Sequence, residues 1–287
     1  MKKLLITGIS GFLGSHFLEL KNDDYEIFGT YQNTLLSYPN CFKIDLCNHQ
    51  EVEQLINKVQ PDAILHLAAN SEPNYCELHP EETYKINVTA SVNLAKIATQ
   101  KNIQFLFTSS DLVFDGTNAP YSETDATNPI MEYGKQKVAA GKGILKVYPN
   151  AIIARMPLMF GISKYGCSFF TSWIDNLKTG KPLYAFTDES RTPVSGKTAM
   201  QGLLKLIEAN VTGIYHLGGS ESISRFDFAI QLAEVLKIDK PNIIASKIAD
   251  VQMPAERPQN VSLNSTKAFY LGYQPMGVKD EIKQYSL

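Results

Sequence analysis

The chain has 287 residues, 44% of them apolar and 20% charged, enough apolar material for a sizeable core and too much for a disordered chain. Twenty-seven Lys and Arg against 29 Asp and Glu leave a net charge of -2, which gives no electrostatic reason to expect nucleic acid or an anionic membrane as partner. No stretch approaches the ~18 apolar residues that a membrane span needs.

Met1-Lys2-Lys3 before Leu4-Leu5-Ile6 imitates the start of a secretory signal. Ser10, Ser15 and His16 interrupt the apolar run, and no small-residue cleavage site follows before Lys21 and Asp23. The run is read instead as a first strand over 4–7. Further apolar runs at 25–29, 63–68, 104–108 and 151–154 lack alternation, as strands covered on both faces require. Between them Val52, Leu55, Ile56 and Val59 share one helical face, and Val88, Val92 and Ala95 repeat that spacing. Strands alternating with helices predict an α/β chain with a Rossmann doubly wound parallel sheet. Beyond it Gly161, Gly166, Gly180, Pro182 and Pro193 punctuate a mixed region. A helix is expected at 198–208, a strand at 213–217 and a helix at 226–236, before a loop-rich C-terminal stretch. The organisation expected is a dinucleotide-binding domain over 1–157 and a smaller substrate-binding region over 158–287, with the 190–220 segment returning to the sheet.

Cys41, Cys47, Cys76 and Cys167 form no CxxC pair and no metal-ligand spacing, and are read as reduced thiols of a cytoplasmic protein. His16, His49, His66, His79 and His216 show no ligand spacing either, so no metal is expected.

Gly8-Ile9-Ser10-Gly11-Phe12-Leu13-Gly14 directly follows the first strand and opens a helix expected to end near Lys21. Glycines there allow a tight turn and close approach of backbone N–H groups to a pyrophosphate, with the positive end of the helix dipole behind them. The second strand ends Phe28-Gly29-Thr30-Tyr31-Gln32-Asn33, with no carboxylate to repel a 2′-phosphate. NADP is therefore the expected cofactor. No arginine stands there to bind that phosphate, so NAD stays open. Tyr133 and Lys137 lie four apart, on one helical face, and a strand upstream ends Thr108-Ser109-Ser110-Asp111. Hydride transfer at a carbinol carbon needs a phenol to move a proton, a cation to lower its pKa from about 10, and a hydroxyl to orient the carbonyl.

These features resemble the extended short-chain dehydrogenase/reductases over essentially the whole chain: the turn from Gly8 to Gly14, Asp45-Leu46, Leu67-Ala68-Ala69, Asn87-Val88, Ser110 and the Tyr133/Lys137 pair. Within that group the chain is similar to the dTDP-4-dehydrorhamnose reductase branch. Ser109-Ser110-Asp111-Leu112-Val113-Phe114-Asp115-Gly116, Arg191-Thr192-Pro193, Ser224-Arg225-Phe226-Asp227 and Arg257-Pro258-Gln259-Asn260 carry that likeness. The resemblance implies NADP(H)-dependent reduction of a keto-sugar. Tyr133 would be the general acid, Lys137 would hold the nicotinamide ribose and depress the Tyr133 pKa, and Ser110 would bond the ketone oxygen. It implies a cofactor site of Gly8, Gly11, Phe12, Leu13, Gly14, Tyr31, Asp45, Leu46, Leu67, Ala68, Ala69, Ser109 and Met156 beside Tyr133 and Lys137. Substrate contacts are implied for Asn70, Asp111, Leu112, Leu158, Arg191 and Arg257.

Two positions depart from the branch: Leu112 stands where a Tyr is usual, and Leu158 where a Trp is. Both aromatics help seat the sugar nucleotide, so a related keto-sugar, nucleotide-linked or not, is the expected substrate. Two other readings stay open. The stretch from Arg155 to Gly161, with Asn128-Pro129, also resembles the regulatory subunit of methionine adenosyltransferase, which binds NADP and serves a partner. Gly11-Phe12-Leu13-Gly14-Ser15-His16 leans toward the nucleotide-sugar epimerases, whereas a dehydratase wants an Asp-Glu pair and Asp111 is followed by Leu112. A homodimer is compatible with the resemblance. Asp111 and Asp115 can also be simple turn-formers, Arg191 and Arg257 structural ion-pair partners, and Trp173, among Phe169, Phe170 and Ile174, is read as packing or interface.

Overall fold

The structure, a computed structural model, describes residues 1–20, 24–34, 36, 38–165 and 168–285. The first part of the chain runs β1 (Lys2–Thr7), α1 (Phe12–Glu19), β2 (Tyr25–Tyr31), β3 (Cys41–Lys43), α2 (His49–Val59) and β4 (Ala63–His66). It continues through α3 (Pro73–Leu78), α4 (Pro80–Tyr84), a π-turn (Lys85–Ala90), α5 (Ser91–Gln100), β5 (Gln104–Ser110), α6 (Glu132–Val147) and β6 (Ile152–Met156). The remainder comprises β7 (Met159–Phe160), α7 (Phe169–Thr179), β8 (Leu183–Phe186), β9 (Ser190–Arg191), β10 (Val194–Ser195), α8 (Gly196–Glu208) and β11 (Gly213–His216). Last come β12 (Ile223–Ser224), α9 (Arg225–Val235), β13 (Ile243–Ser246), α10 (Thr266–Phe269) and α11 (Val278–Lys283).

Seven strands pair in parallel in the order β11-β6-β5-β4-β1-β2-β3. The continuous apolar runs have the expected cause. In β1, Leu4 and Ile6 enter a core with Leu13 and Phe17 of α1 and Met200, Leu203 and Ile207 of α8. Leu5 between them faces the opposite core, with Val52, Leu55, Ile56 and Val59 of α2 and Leu94, Ala95 and Ala98 of α5. Both faces are covered, so no polar alternation survives. A third core joins Phe160, Phe170, Ile174 and Leu177 to Phe228, Leu232 and Ile282 in the C-terminal part. Strand β11 returns to the sheet beside β6, with Ile214 opposite Ile153.

Some boundaries differ from expectation. Strand β4 stops at His66, and the residues after it run as irregular backbone into the cleft described below. The three-residue edge strand β3 is too short to leave a sequence pattern. The helix expected through Val88 and Val92 starts as the π-turn and becomes regular only at Ser91. Helix α1 ends at Glu19; Lys21, Asp23, Gly166 and Cys167 lie outside the described residues. Among the described residues no helix is long and apolar enough to cross a membrane.

The glycine turn shows why the first crossover is so tight. Gly8 has φ +68°, a conformation that a side chain opposes, and a Cβ there would lie 2.8 Å from the Ala68 Cα. At Gly14 a Cβ would come within 2.5 Å of the Ile9 backbone. Gly14→Ala is therefore expected to destabilise the fold by about 1–3 kcal/mol, the cost of overpacking, despite alanine's better helix propensity. Urea unfolding checks this; a midpoint equal to wild type would refute the close approach.

Candidate active site

A cleft of about 1380 Å³ opens at the carboxyl ends of the sheet strands. That exceeds the ~300–1,000 Å³ of an ordinary small-molecule pocket and suits two ligands side by side. Its floor is the glycine turn. Gly11 is the N-cap of α1 and has no side chain to cap it, and the first turn of α1 holds no acidic residue, so its N–H groups remain available to an anion. Gly8, Phe12, Leu13 and Gly14 line the cleft with it, and so do Tyr31, Asp45, Leu46, Leu67, Ala68 and Ala69. Thr30, Gln32, Asn33 and Thr34 complete the end of β2, and none is a carboxylate. Lys85, which sequence reading did not single out, lines the same end. These residues and their uncapped helix fit a dinucleotide.

Ser109, Ser110 and Met156 sit where β5 and β6 end, with Ser110 opposite Met156 in the ladder. The Ser110 hydroxyl donates to Asp111 Oδ1 at 3.1 Å, accepts from Leu112 N at 3.2 Å, and hydrogen-bonds the Tyr133 phenol. Tyr133 is in the first turn of α6, whose N-terminus is held in three ways. Glu77 accepts from Glu132 N at 2.9 Å, standing in for the capping side chain that Met131 lacks. Gly134 lies against the carbonyl of Leu112 with no room for a Cβ. Gln136 accepts from Asn87 Nδ2 at 2.7 Å and donates to Thr83 Oγ1 at 2.9 Å. Asn87 in turn holds both backbone groups of Asn70, accepting from its N at 2.8 Å and donating to its O at 3.0 Å. Gln136 was not read from sequence as part of the site, yet this chain ties the acid-bearing helix to the cleft floor.

Lys137 Nζ donates to Thr108 O at 2.9 Å and lies 4.6 Å from the Phe107 ring centroid and 5.7 Å from that of Tyr133. The expected electrostatics are reversed here. Burial pushes the Lys137 ammonium down to about 7, and burial, with Cys76 and Asp111 nearby, lifts the Tyr133 phenol well above its ordinary range. Exclusion of water from both groups disfavours the phenolate and the ammonium alike. The phenol is thus kept as an acid.

Every other residue of the expected site also lines the cleft. Asn70, Leu112 and Leu158 do so as aliphatic or amide wall. Asp111 is more than a turn-former: it is buried and pairs with Arg191 at 2.8 Å, while Arg191 also holds Glu189 at 3.1 Å. Burial pushes the Asp111 carboxyl up, against the pull of Arg191. Asp115 is the turn-former, accepting from Tyr121, Thr117 and Asn128. Arg257 donates to Ala255 O and Asn74 Oδ1. Trp173 packs as expected, edge-on to Phe169 and Phe228, and it also lines the cleft with Phe169, Tyr184 and Arg225. Burial pushes the Arg225 guanidinium down to about 10, still charged at neutral pH. His66 and His216 are structural, each held near 3 by burial and bonded within the core, His66 to Thr7 and Ser91 and His216 to Arg155.

Two outcomes follow from this geometry. A Cβ at Gly11 meets only Gly8 O, at 3.2 Å, and otherwise enters the cleft, so Gly11→Val should keep the fold and weaken NADPH binding roughly tenfold or more by crowding the pyrophosphate. Fluorescence titration measures it, and an unchanged dissociation constant would remove the turn from the site. Lys137→Met should raise the unfolding midpoint near neutral pH. Between the folded value of about 7 and the ordinary 10.5 the unfolded chain holds a proton that the folded chain has lost, so stability from this site climbs with pH. The gain from Lys137→Met should therefore shrink toward about pH 10, and a gain that grows instead would reverse the assignment.

Comparison with known proteins adds four findings. The profile of the RmlD substrate binding domain family matches residues 1–285. A probable low-salt glycan biosynthesis reductase of Haloferax volcanii is 29% identical over 266 residues, covering 90% of this chain and 88% of that protein. Methionine adenosyltransferase 2 subunit beta of Xenopus laevis is 30% identical over 280 residues, covering 94% and 83%. Among solved structures, a dTDP-4-dehydrorhamnose reductase of Clostridium acetobutylicum superposes with a TM-score of 0.86 at 27% identity, covering 99% of this chain and 98% of that one.

Proposed function

The chain belongs to the RmlD substrate binding domain family, and on that premise we propose that it is an NADP(H)-dependent reductase of a keto-sugar or nucleotide-linked keto-sugar. One observation carries the reading: Ser110, Tyr133 and Lys137 meet on the wall of a cleft floored by an uncapped helix N-terminus. The likeness to sugar reductases supports it.

NADPH, when bound, supplies a hydride to the carbonyl carbon. Ser110 donates to the ketone oxygen and fixes its direction. Tyr133 delivers a proton to that oxygen as negative charge develops on it, and burial keeps the phenol charged with its proton until then. Lys137 has one donor on Thr108 O and, even as the neutral amine, one left for the hydroxyls of the nicotinamide ribose. At the other end, the end of β2 without a carboxylate and the cation of Lys85 in the same lining suit a 2′-phosphate, which favours NADP over NAD. Leu112 and Leu158 give the sugar pocket aliphatic walls, so a keto-sugar other than 4-dehydrorhamnose is the expected substrate. The free thiols of Cys41, Cys47 and Cys76 suit the reducing cytoplasm.

NADPH oxidation with a panel of keto-sugars, free and nucleotide-linked, tests the activity. Tyr133→Phe should lower turnover by about 10²–10⁴ while leaving the NADPH dissociation constant unchanged, since the lost proton acts on substrate alone. Wild-type turnover in that variant would refute the mechanism. The likeness to methionine adenosyltransferase subunits supports a second reading, a dinucleotide-binding regulatory subunit. Absence of turnover together with co-purification of a synthetase would favour it; the complete Ser110/Tyr133/Lys137 arrangement favours catalysis.

A further inference from the structure

The Ser110 hydroxyl has a single hydrogen to give and two lone pairs to receive with. Leu112 N donates to Oγ at 3.2 Å and fills one lone pair. Asp111 Oδ1 lies 3.1 Å away on one side, and the Tyr133 phenol is bonded to the same hydroxyl on another. An ionised carboxylate can only accept, so with Asp111 charged the hydrogen of Ser110 is spent on Oδ1. A ketone oxygen entering the cleft would then meet a lone pair on Ser110 where it needs a donor. A proton on Asp111 Oδ1 turns the bond round. The acid then donates to the second lone pair of Oγ, and the hydroxyl hydrogen is free for the ketone.

The surroundings of Asp111 are built to keep such a proton. Two buried carboxylates share one buried guanidinium: Arg191 Nη1 reaches Asp111 Oδ2 at 2.8 Å, and Nη2 reaches Glu189 Oε1 at 3.1 Å. One positive charge cannot offset two negative ones where water is excluded, so a proton retained on one carboxylate lowers the cost. Burial pushes the Asp111 carboxyl up, Arg191 pulls against it, and Glu189 adds to the rise. The other two cations, Arg225 and Arg257, act on Glu189. On its remaining side Asp111 faces Ser110 and the buried phenol of Tyr133, with Cys76 and Lys137 beyond the ring, and burial drives the phenol, the thiol and the ammonium toward their neutral forms.

We propose that Asp111 works as a neutral acid, a positioning residue that donates to Ser110 Oγ and so aims the Ser110 hydrogen at the ketone oxygen. It acts through Ser110 and passes no proton to the substrate. The ketone in that description rests on the reductase reading above; the retained proton does not.

Infrared difference spectra of the NADP⁺-saturated protein against its variants read the proton without turnover. Near neutral pH the wild type should show a carboxylic-acid C=O band that Asp111→Asn lacks. Glu189→Gln removes the competing carboxylate, so the band should persist there and titrate at lower pH. No such band in wild type, or a band kept in Asp111→Asn and lost in Glu189→Gln, overturns the proposal.

The pH profile of NADPH oxidation with the keto-sugar panel reads the consequence. Activity needs the proton, so wild-type kcat should fall as pH rises through the Asp111 titration. The amide of Asp111→Asn donates to Oγ at every pH while its oxygen still accepts from Arg191. That variant should lose the limb, and about two pH units beyond the wild-type midpoint its kcat should exceed wild type roughly tenfold. A plain ion-pair role predicts a variant slower than wild type at every pH, and that result also overturns the proposal. Should Asp111→Asn fail to fold, the shift of the band and of the limb to lower pH in Glu189→Gln decides. If wild type reduces no keto-sugar, the reductase reading fails while the infrared result still stands or falls by itself.

Discussion

Nothing larger than a hydrogen atom fits between Gly134 and the carbonyl of Leu112, and that contact sets the geometry of everything around it. Helix α6 carries the phenol and the ammonium, while the last residue of β5 carries the serine hydroxyl. Backbone against backbone is the closest two elements can pack, and it is insensitive to side-chain rotamers. Equivalent contacts at Gly8 against Ala68 and Gly14 against Ile9 bring the dinucleotide floor to the same sheet edge. Hydrogen bonds through Gln136, Asn87 and Asn70 then join the two halves of the cleft.

Burial governs the charges in this frame more than their pairing does. Lys137 and Tyr133 are near neighbours, yet each is driven toward its neutral form because water is excluded from both. Asp111 survives as a partner of Arg191 only at a similar cost, with its carboxyl also lifted by burial. The reacting end of the cleft is therefore close to neutral.

Much of this was legible in the sequence, for identifiable reasons. Parallel strands buried on both faces leave uninterrupted apolar runs, and Leu4 to Thr7 reads as one without reference to the fold. The glycine turn and the Tyr133/Lys137 spacing are local patterns, and local patterns survive translation into structure. Edge strand β3 and the π-turn were not legible, the first for want of length and the second because one extra residue per turn leaves the apolar spacing nearly intact. The burial that raises the Tyr133 phenol was not legible, since spacing shows who is near but not how dry the site is. The cleft-lining side of Trp173, and Arg225 with it, were passed over for a third reason. Residues 169, 173, 191, 225 and 257 converge only through the small β9–β12 ribbon and α7, far apart along the chain.

Helix α8 and strand β11 have a bearing on how such proteins diversify. Both follow the first half of the substrate end in sequence, yet α8 covers the central strand and β11 extends the sheet. The chain thus crosses between its two halves more than once, and no single cut separates them. A recombination event that exchanged everything after β6 would replace part of the dinucleotide half's own core along with the sugar pocket. Point changes around the cleft, at positions such as Leu112 and Leu158, leave that shared core intact, whereas an exchange of blocks does not.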